Sequence, residues 1–372
     1  MKTIFILNHP PYYRKSIFKL LEANLDCEFA FGFLKKGNIK SLNKTDFNNS
    51  FISLKTINFF FNLYYILGSL RLSLENKYDN IVLTGEFKSI NTWVILIVNF
   101  FNSKKKVYLW THGYYGSENL FKRIIKKIYF FLSDGIFLYG QYSKNLMLKN
   151  KIVEEKKMHV IYNSLNFNLQ NSYYNNLTKK KQENPFFKYF KNNNPNLIFI
   201  GRLTKAKNLD LIFSAQKICI NKNKPFNVFI IGEGNESDIL AKIVSDNNLN
   251  DFVKFFGASY DEKVISNYLY FADVCVSPGN IGLTAIHSLT YSTPVLTHNN
   301  FPKQMPEFEV IKENENGYFF KYKDVDDLSK AIIKCISLSK SKNKNLFRKP
   351  ILENYNPKYQ INIFKSVLAQ AK

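Results

Sequence analysis

The sequence predicts an α/β protein of two domains, each a parallel sheet wound by right-handed βαβ crossovers. Three observations carry this prediction. Short apolar, β-branched runs alternate with segments of helical spacing. Glycine or proline ends several of the strand runs, as a chain turning from strand into helix requires. The 372 residues are long enough for two domains, each with a full core. Hydrophobic residues make up 45% and charged residues 22% of the chain, the usage of ordinary globular domains.

The first domain, residues 1–165, opens on a strand at 3–7 that Asn8-His9-Pro10-Pro11 stops. The apolar start is too short for a secretory signal and reads as that strand. A helix follows Tyr12-Tyr13-Arg14, with Ile17, Phe18, Leu20 and Leu21. A second strand is expected at 29–34 and an irregular polar stretch at 35–56. Residues 59–74 have helical spacing, with Phe60, Leu63, Tyr64, Leu67 and Leu70 on one side, and read as a core helix. The strand at 79–83 ends at Thr84-Gly85-Glu86. That places Glu86 at the carboxyl edge of the sheet, where open α/β sheets carry their sites. The strand at 106–110 ends at Thr111-His112-Gly113, with His112 at the same edge. An imidazole there can donate to developing charge near neutral pH. Residues 120–132, LFKRIIKKIYFFL, mix Lys and Arg with Ile, Tyr and Phe. Two readings stand: a helix lying on an anionic membrane surface with its long cations snorkelling, or an ordinary amphipathic helix whose polar face is lysine. A strand at 134–139 and a helix at 141–148 follow.

Residues 166–195 are rich in Asn and Lys and read as a linker holding one short helix. The second domain, residues 196–350, has strands at 196–202, 227–231, 252–256, 273–277 and 294–297. Two of its strand-to-helix turns carry chemistry. The strand at 274–276 turns through Pro278, Gly279 and Gly282 into a helix on which Leu283, Ile286 and Leu289 recur. Free N–H groups at such a helix start, backed by the positive end of the helix dipole, suit a phosphate. Gly282 leaves the approach open and Thr284 adds a hydroxyl. In the other turn a strand ends at Gly201 and a helix continues from Leu209, with Arg202 and Lys207 five residues apart between them. A planar guanidinium and a point-charge ammonium beside a helix start suit a diphosphate. Residues 351–372 carry Ile361, Ile363, Phe364 and Val367 and are expected as a helix that returns to the first domain.

Together the two turns resemble the nucleotide-sugar-dependent glycosyltransferases of family four. That family's G-R-L-x-x-x-K-G segment appears as Gly201-Arg202-Leu203 with Lys207-Asn208, Asn replacing the last Gly. A later segment matches at Gly282-Leu283, Ile286 and Pro294-Val295, and its closing signals at Pro306-Glu307 and Asn316-Gly317-Tyr318. The resemblance implies the GT-B fold, two Rossmann-like βαβ domains facing a central cleft. It implies catalytic roles for Arg202, Lys207 and His112. It puts Gly232, Gly257, Gly279, Asn280, Ile281, Gly282, Leu283, Thr284, His287 and Glu307 on the nucleotide-sugar donor, and His9, Tyr13, Arg14 and Glu86 on the acceptor side. Two positions depart. Aligned on Gly282, Gly279 and His287 stand where the family has glutamates, the first toward donor-sugar hydroxyls and the second toward the ribose. A neutral His287 can still bond ribose hydroxyls, and Glu307 and Glu309 are the nearest carboxylates for the sugar.

The implied activity is a retaining transfer to a glycan or lipid-linked acceptor in the building of a surface polysaccharide such as O-antigen or capsule. No cofactor is implied, and no metal, since no Asp-x-Asp is present where a divalent ion would sit. The rival readings are a nucleotide-sugar epimerase on the same fold, and a GT-B binding protein for carbohydrate or nucleic acid that lacks activity. The net charge of +23 admits an anionic membrane, nucleic acid or phosphorylated ligands; a coding bias that also enriches Asn, Ile, Phe and Tyr explains it equally. Nucleic acid is not the partner expected. The cations recur in small groups, among them Lys35-Lys36, Lys104-Lys105-Lys106 and Lys179-Lys180-Lys181. Four cysteines lie scattered with no metal spacing and read as buried thiols in a reducing cytosol. No apolar run reaches the roughly 18 to 20 residues that span a bilayer. The expected location is cytoplasmic, peripheral on the inner face of the membrane.

Overall fold

A computed structural model describes residues 1–34, 40–48, 51–102, 104–179, 182–341 and 343–369. Lys35, Lys36, Lys180 and Lys181 of the basic groups lie outside the described residues. The chain divides into two units, Met1–Asn166 with Asn354–Lys372, and Phe167–Glu353.

The first unit carries strands β1 (Thr3–Leu7), β2 (Cys27–Phe31), β3 (Phe51–Ser53), β4 (Thr56–Asn58), β5 (Tyr64–Ile66), β6 (Asn80–Thr84), β7 (Lys106–Thr111), β8 (Gly135–Leu138) and β9 (Met158–Val160). Its helices are α1 (Lys15–Asn24), α2 (Ser69–Leu74), α3 (Ile90–Phe101), α4 (Leu120–Phe131) and α5 (Gln141–Lys149). Seven strands form a parallel sheet in the order β3-β2-β1-β6-β7-β8-β9. Helical crossovers cover both faces of such a sheet, which is why its strands are apolar throughout rather than alternating. Phe5, Val82, Trp110 and Phe137 enter one core with Phe18 of α1. Ile4, Ile81, Leu109 and Ile136 enter the other with Leu96 of α3 and Tyr129 of α4. A C-terminal helix, Pro357–Leu368, capped by Asn356, belongs to this unit. Its Phe364 ring lies 4.4 Å from Phe137 and 5.2 Å from Trp110.

The core helix expected over 59–74 is not formed. β4 and β5 pair as an antiparallel hairpin, and the tip, Phe60–Asn62, is a single 3-10 turn with Phe61 at φ +61°. Helix begins only at Ser69, after Gly68 at φ +81°. An aromatic and β-branched run fits a strand pair as well as a helix, so spacing alone misled here. The consequence is large: Phe60 and Phe61 are each 88% exposed instead of buried.

The second unit carries β10 (Asn196–Ile200), β11 (Asn227–Ile231), β12 (Val253–Gly257), β13 (Val274–Ser277), β14 (Val295–His298) and β15 (Gly317–Phe320). Its helices are α6 (Phe167–Lys179), α7 (Asp210–Asn221), α8 (Ser237–Asp246), α9 (Glu262–Phe271), α10 (Leu283–Thr290), α11 (Val325–Ser341), α12 (Lys344–Phe347) and α13 (Lys349–Glu353). The sheet is parallel, in the order β12-β11-β10-β13-β14-β15. Strand order reverses between β10 and β13, so the loops leaving their carboxyl ends run to opposite sides. Ligands of doubly wound sheets bind at such a switch point.

Residues 166–195 are more than a linker. Thirteen of them form α6, and Tyr174, Leu177, Phe186 and Phe190 share a core with Phe229 and Tyr268. The Asn-rich surface of the segment hid these few well-spaced apolar anchors. β15 is a sixth strand beyond the five expected, and β3 and β9, three residues each, are too short to leave a period in the sequence.

Candidate functional site

At the switch point of the second unit the two turns singled out in the sequence meet. A Cβ on Gly279 would lie 2.0 Å from the carbonyl oxygen of Ala206 and 2.6 Å from the Cα of Lys207. The loops therefore touch backbone to backbone, and only glycine fits. Lys207 Nζ donates to the Asn280 carbonyl at 2.6 Å and to Asn280 Oδ1 at 2.9 Å. Thr284 Oγ1 donates to the Ile200 carbonyl at 3.2 Å and so ties the start of α10 to the end of β10. Burial pushes the Lys207 ammonium down to about 8, with the charge of Arg202 adding to the effect. Arg202 is exposed on the same loop. Asn208 stands at φ +48°, a left-handed conformation that Gly takes freely and Asn tolerates, which accounts for Asn at the family's glycine position.

Gln304 was not singled out in the sequence. Its Oε1 accepts from the Ile281 N–H at 2.7 Å, and its Nε2 donates to Thr297 Oγ1 at 3.0 Å and to the His298 carbonyl at 2.8 Å. The turn is thus pinned from below, with the N–H groups of Gly282 and Leu283 at the open helix start. Gly232 follows β11, and a Cβ there would lie 1.9 Å from the Gly201 carbonyl oxygen. Gly257 closes β12 beside Glu233, whose Oε1 accepts from the Ala258 N–H at 3.2 Å.

The two departures from the glutamate pattern have structural counterparts. No carboxylate fits at 279 while the loops stay closed. Glu307, on the 3-10 turn Pro306–Val310, reaches the same turn from another segment. It is 3% exposed, with Oε2 3.8 Å from where a Cβ on Gly282 would stand. His287 Nε2 lies 2.9 Å from Glu262 Oε1, which also accepts from the Tyr291 hydroxyl at 2.5 Å. Burial pushes the Glu262 carboxyl up. The nearby His287 and hydrogen bonds from His287, Tyr291 and Gln170 outweigh burial and hold it below the usual carboxylate range. A ribose contact from His287 would have to use Nδ1.

In the first unit, Glu86 and His112 line one cavity of about 600 Å³. Glu86 Oε2 accepts from the Tyr64 hydroxyl at 3.1 Å. The His112 ring lies 4.8 Å from Tyr139 and stacks near Tyr115 at 6.1 Å. Arg14 donates to the Tyr139 hydroxyl and sits 4.6 Å over the Trp110 ring, so it shares Tyr139 with His112. His9 Nε2 lies 3.3 Å from Ser41 Oγ. His9 and Tyr13, half-buried, are not among the residues lining the cavity. Lys126 does line it, a residue the sequence reading left on a helix face. It pairs with Glu118 at 2.6 Å and donates to the Gly113 carbonyl at 2.9 Å, bracing the turn that follows His112.

Residues 180–348 match the glycosyl transferases group 1 family. The poly(ribitol-phosphate) alpha-N-acetylglucosaminyltransferase of Staphylococcus aureus (strain COL) is 23% identical over 176 residues, 45% of this chain and 34% of that protein. The match thus spans about a third of the relative's length. Among solved structures, the lipopolysaccharide outer core galactosyltransferase WaaB superposes with a TM-score of 0.71 at 14% identity, over 100% of both chains. Anabaena HepE in complex with UDP superposes with a TM-score of 0.70 at 16% identity, over 99% of this chain and 100% of that one. At these identities the structural likeness is one of fold. Taken with the family match confined to residues 180–348, it supports a glycosyltransferase of GT-B fold.

Proposed function

We propose that the chain transfers a sugar from a nucleotide-sugar donor to a glycan or lipid-linked acceptor in the assembly of a surface polysaccharide. One observation carries this reading: Lys207 Nζ, with Arg202 on its loop, is set against the Asn280 turn at the start of α10. The ammonium is desolvated and satisfied by two uncharged oxygens. A diphosphate would offer it a charge-assisted bond instead, with the α10 dipole and its free N–H groups adding to the attraction. In the transfer the bond from the anomeric carbon to the diphosphate oxygen breaks and a bond to the acceptor oxygen forms. The acceptor's proton leaves with the nucleoside diphosphate. Arg202 and Lys207 stabilise the charge that grows on the leaving oxygen. Two cations take the part a divalent ion plays elsewhere, so EDTA is expected to leave the rate unchanged.

Glu307 is the carboxylate placed to meet donor-sugar hydroxyls. Glu86 stands on the acceptor side, and His112, which lines the same cavity, takes the catalytic role the resemblance implies. By the resemblance, the sugar keeps its anomeric configuration. The UDP held by the Anabaena neighbour makes uridine the first base to try. The names of the S. aureus relative and the lipopolysaccharide galactosyltransferase support a cell-surface acceptor. Four free, buried cysteines favour the cytoplasm.

The closed packing at Gly279 favours a second reading, a GT-B binding protein without transfer. Thermal unfolding against a panel of nucleotides and nucleotide sugars, on wild type and Arg202→Ala, decides between them. Ligand at 100 times its Kd stabilises by about 2.7 kcal/mol. A shift with one nucleotide, lost in the variant, supports a donor site. No shift with any ligand overturns the donor site and moves the weight to the binding-protein reading. A shift without release of nucleoside diphosphate on long incubation with the sugar donor selects the second.

A further inference from the structure

Helices α9 and α10 are joined by a carboxylate and an imidazole. Glu262 opens α9, a few residues past the end of β12 at Gly257. His287 stands on α10, four residues past Leu283. Glu262 Oε1 meets His287 Nε2 and also accepts from the Tyr291 hydroxyl. Gln170 of α6 is a further donor to the same carboxyl. Burial works against its charge, but His287 and these bonds keep it ionised. An ionised carboxyl can only accept, so the His287 ring carries its proton on Nε2. A neutral ring then offers Nδ1 as an acceptor. Among the described residues nothing bonds to Nδ1, and the side chain keeps 14% of its surface exposed. Tyr291 packs 5.7 Å from the ring, so the imidazole is held on one edge and presents the other.

The place of that edge gives the pair a use. Residues four apart on a helix share a face, with Cβ atoms about 5–6 Å apart. His287 therefore stands one turn along from Leu283, whose N–H lies at the open helix start. With a diphosphate at that start, the next group along a nucleotide is its pentose. The strand order puts the segment after β12, which carries Glu262, and the segment after β14, which carries Glu307, on opposite sides of this turn. Nucleoside and donor sugar, at the two ends of the diphosphate, each have a side. We propose that Glu262 is a positioning residue, which fixes the His287 ring so that Nδ1 holds a pentose hydroxyl of the nucleotide. The proposal rests on the donor reading above. It also accounts for the departure at 287. A glutamate there would face Glu262 with like charge, so the two carboxylates exclude each other. In this chain the carboxylate stands on α9 and acts on the ligand through an imidazole.

The test is calorimetric titration of the full chain with UDP, CDP, ADP and GDP, each beside its 2′,3′-dideoxy form, which lacks the hydroxyls. The nucleotide that binds is expected to bind wild type about tenfold more tightly than its dideoxy form does. His287→Ala abolishes this preference and leaves the dideoxy affinity unchanged. Glu262→Gln keeps the shape but lets the ring take either tautomer, and the preference falls about threefold. His287→Glu alone loses the preference, and His287→Glu with Glu262→Gln regains it. The preference is a ratio within one variant, so lost stability does not imitate it, and the thermal midpoint shows that each variant folds. Should His287→Ala not fold, Glu262→Gln and the double variant decide. Binding of none of the nucleotides overturns the donor site and this proposal with it. Equal binding of the dideoxy form to wild type overturns the proposal alone. So does a preference that His287→Ala or Glu262→Gln leaves unchanged, which would make the pair a brace between α9 and α10.

Discussion

The turn at Gly279 and the outer face of α4 are built in opposite ways. At the turn two backbones lie too close for any side chain; Lys207 ties them together through Asn280, and Thr297 and Gln304 hold the 279–281 side. On α4 the apolar side chains Leu120, Phe121, Ile124, Ile128 and Phe131 face outward. The contrast says where mutation is informative. A change of volume at the turn disturbs folding along with any ligand site. A change on the face leaves the fold intact.

The largest expected effect sharpens the first half of that contrast. Lys207→Met removes charge and keeps length, and turnover, read as release of nucleoside diphosphate, should fall by ~10²–10³. Denaturant unfolding of the same variant should show little change, because an ammonium held in a desolvated place is lost. Next comes volume: Gly279→Ala overpacks the two loops and should cost about 1–3 kcal/mol in the denaturant midpoint. Gly279→Glu should cost no less and raise no activity above wild type. A variant as stable as wild type would break the comparison.

Acidity gives a smaller, graded test. Folding lowers the Lys207 pKa from 10.5 to about 8. Between those values the unfolded chain holds a proton that the folded chain has released, so the Lys207 contribution to stability rises as pH climbs from about 8 and levels off near 10.5. Donor binding needs the ammonium and moves the other way, weakening up to about tenfold per pH unit above 8. Calorimetric titration of the donor at several pH values checks this, and Lys207→Arg, charged throughout, should flatten the slope. The smallest effect belongs to α4: Ile124→Ser should move the unfolding midpoint by no more than about 0.5 kcal/mol. A larger loss would mean that the face is held inside the fold after all.

Much of this molecule could be read from local sequence. The two strand–glycine–helix turns are local objects, so Gly201, Arg202, Lys207 and the 279–284 segment stand where the spacing put them. Asn208 stood out in the sequence only as a departure from the family's glycine, and its left-handed backbone shows why Asn is tolerated there. Gln304 was not legible, because a single glutamine between Lys303 and Met305 carries no period and no motif. The pair His287 and Glu262 lies 25 residues apart, and nothing local in either helix announces the other. The 59–74 stretch failed differently: its apolar residues satisfy two periods at once, and pairing between β4 and β5, with the break at Gly68, chose one.

By itself, then, the sequence determined the alternation of strand and helix, the parallel sheets that follow from it, and the two glycine-bearing turns, one of them cationic. Each rests on interactions within a few residues. Tertiary structure decided which carboxylate reaches the Gly279–Gly282 turn, Glu307 from a separate segment where Gly279 leaves no room. It decided which side of α4 faces out. Periodicity establishes that a helix has two faces, but the buried one is chosen by the surfaces it meets. Here Glu118 and the Gly113 carbonyl hold Lys126, Trp93 packs on Tyr129, and the apolar row is left outside.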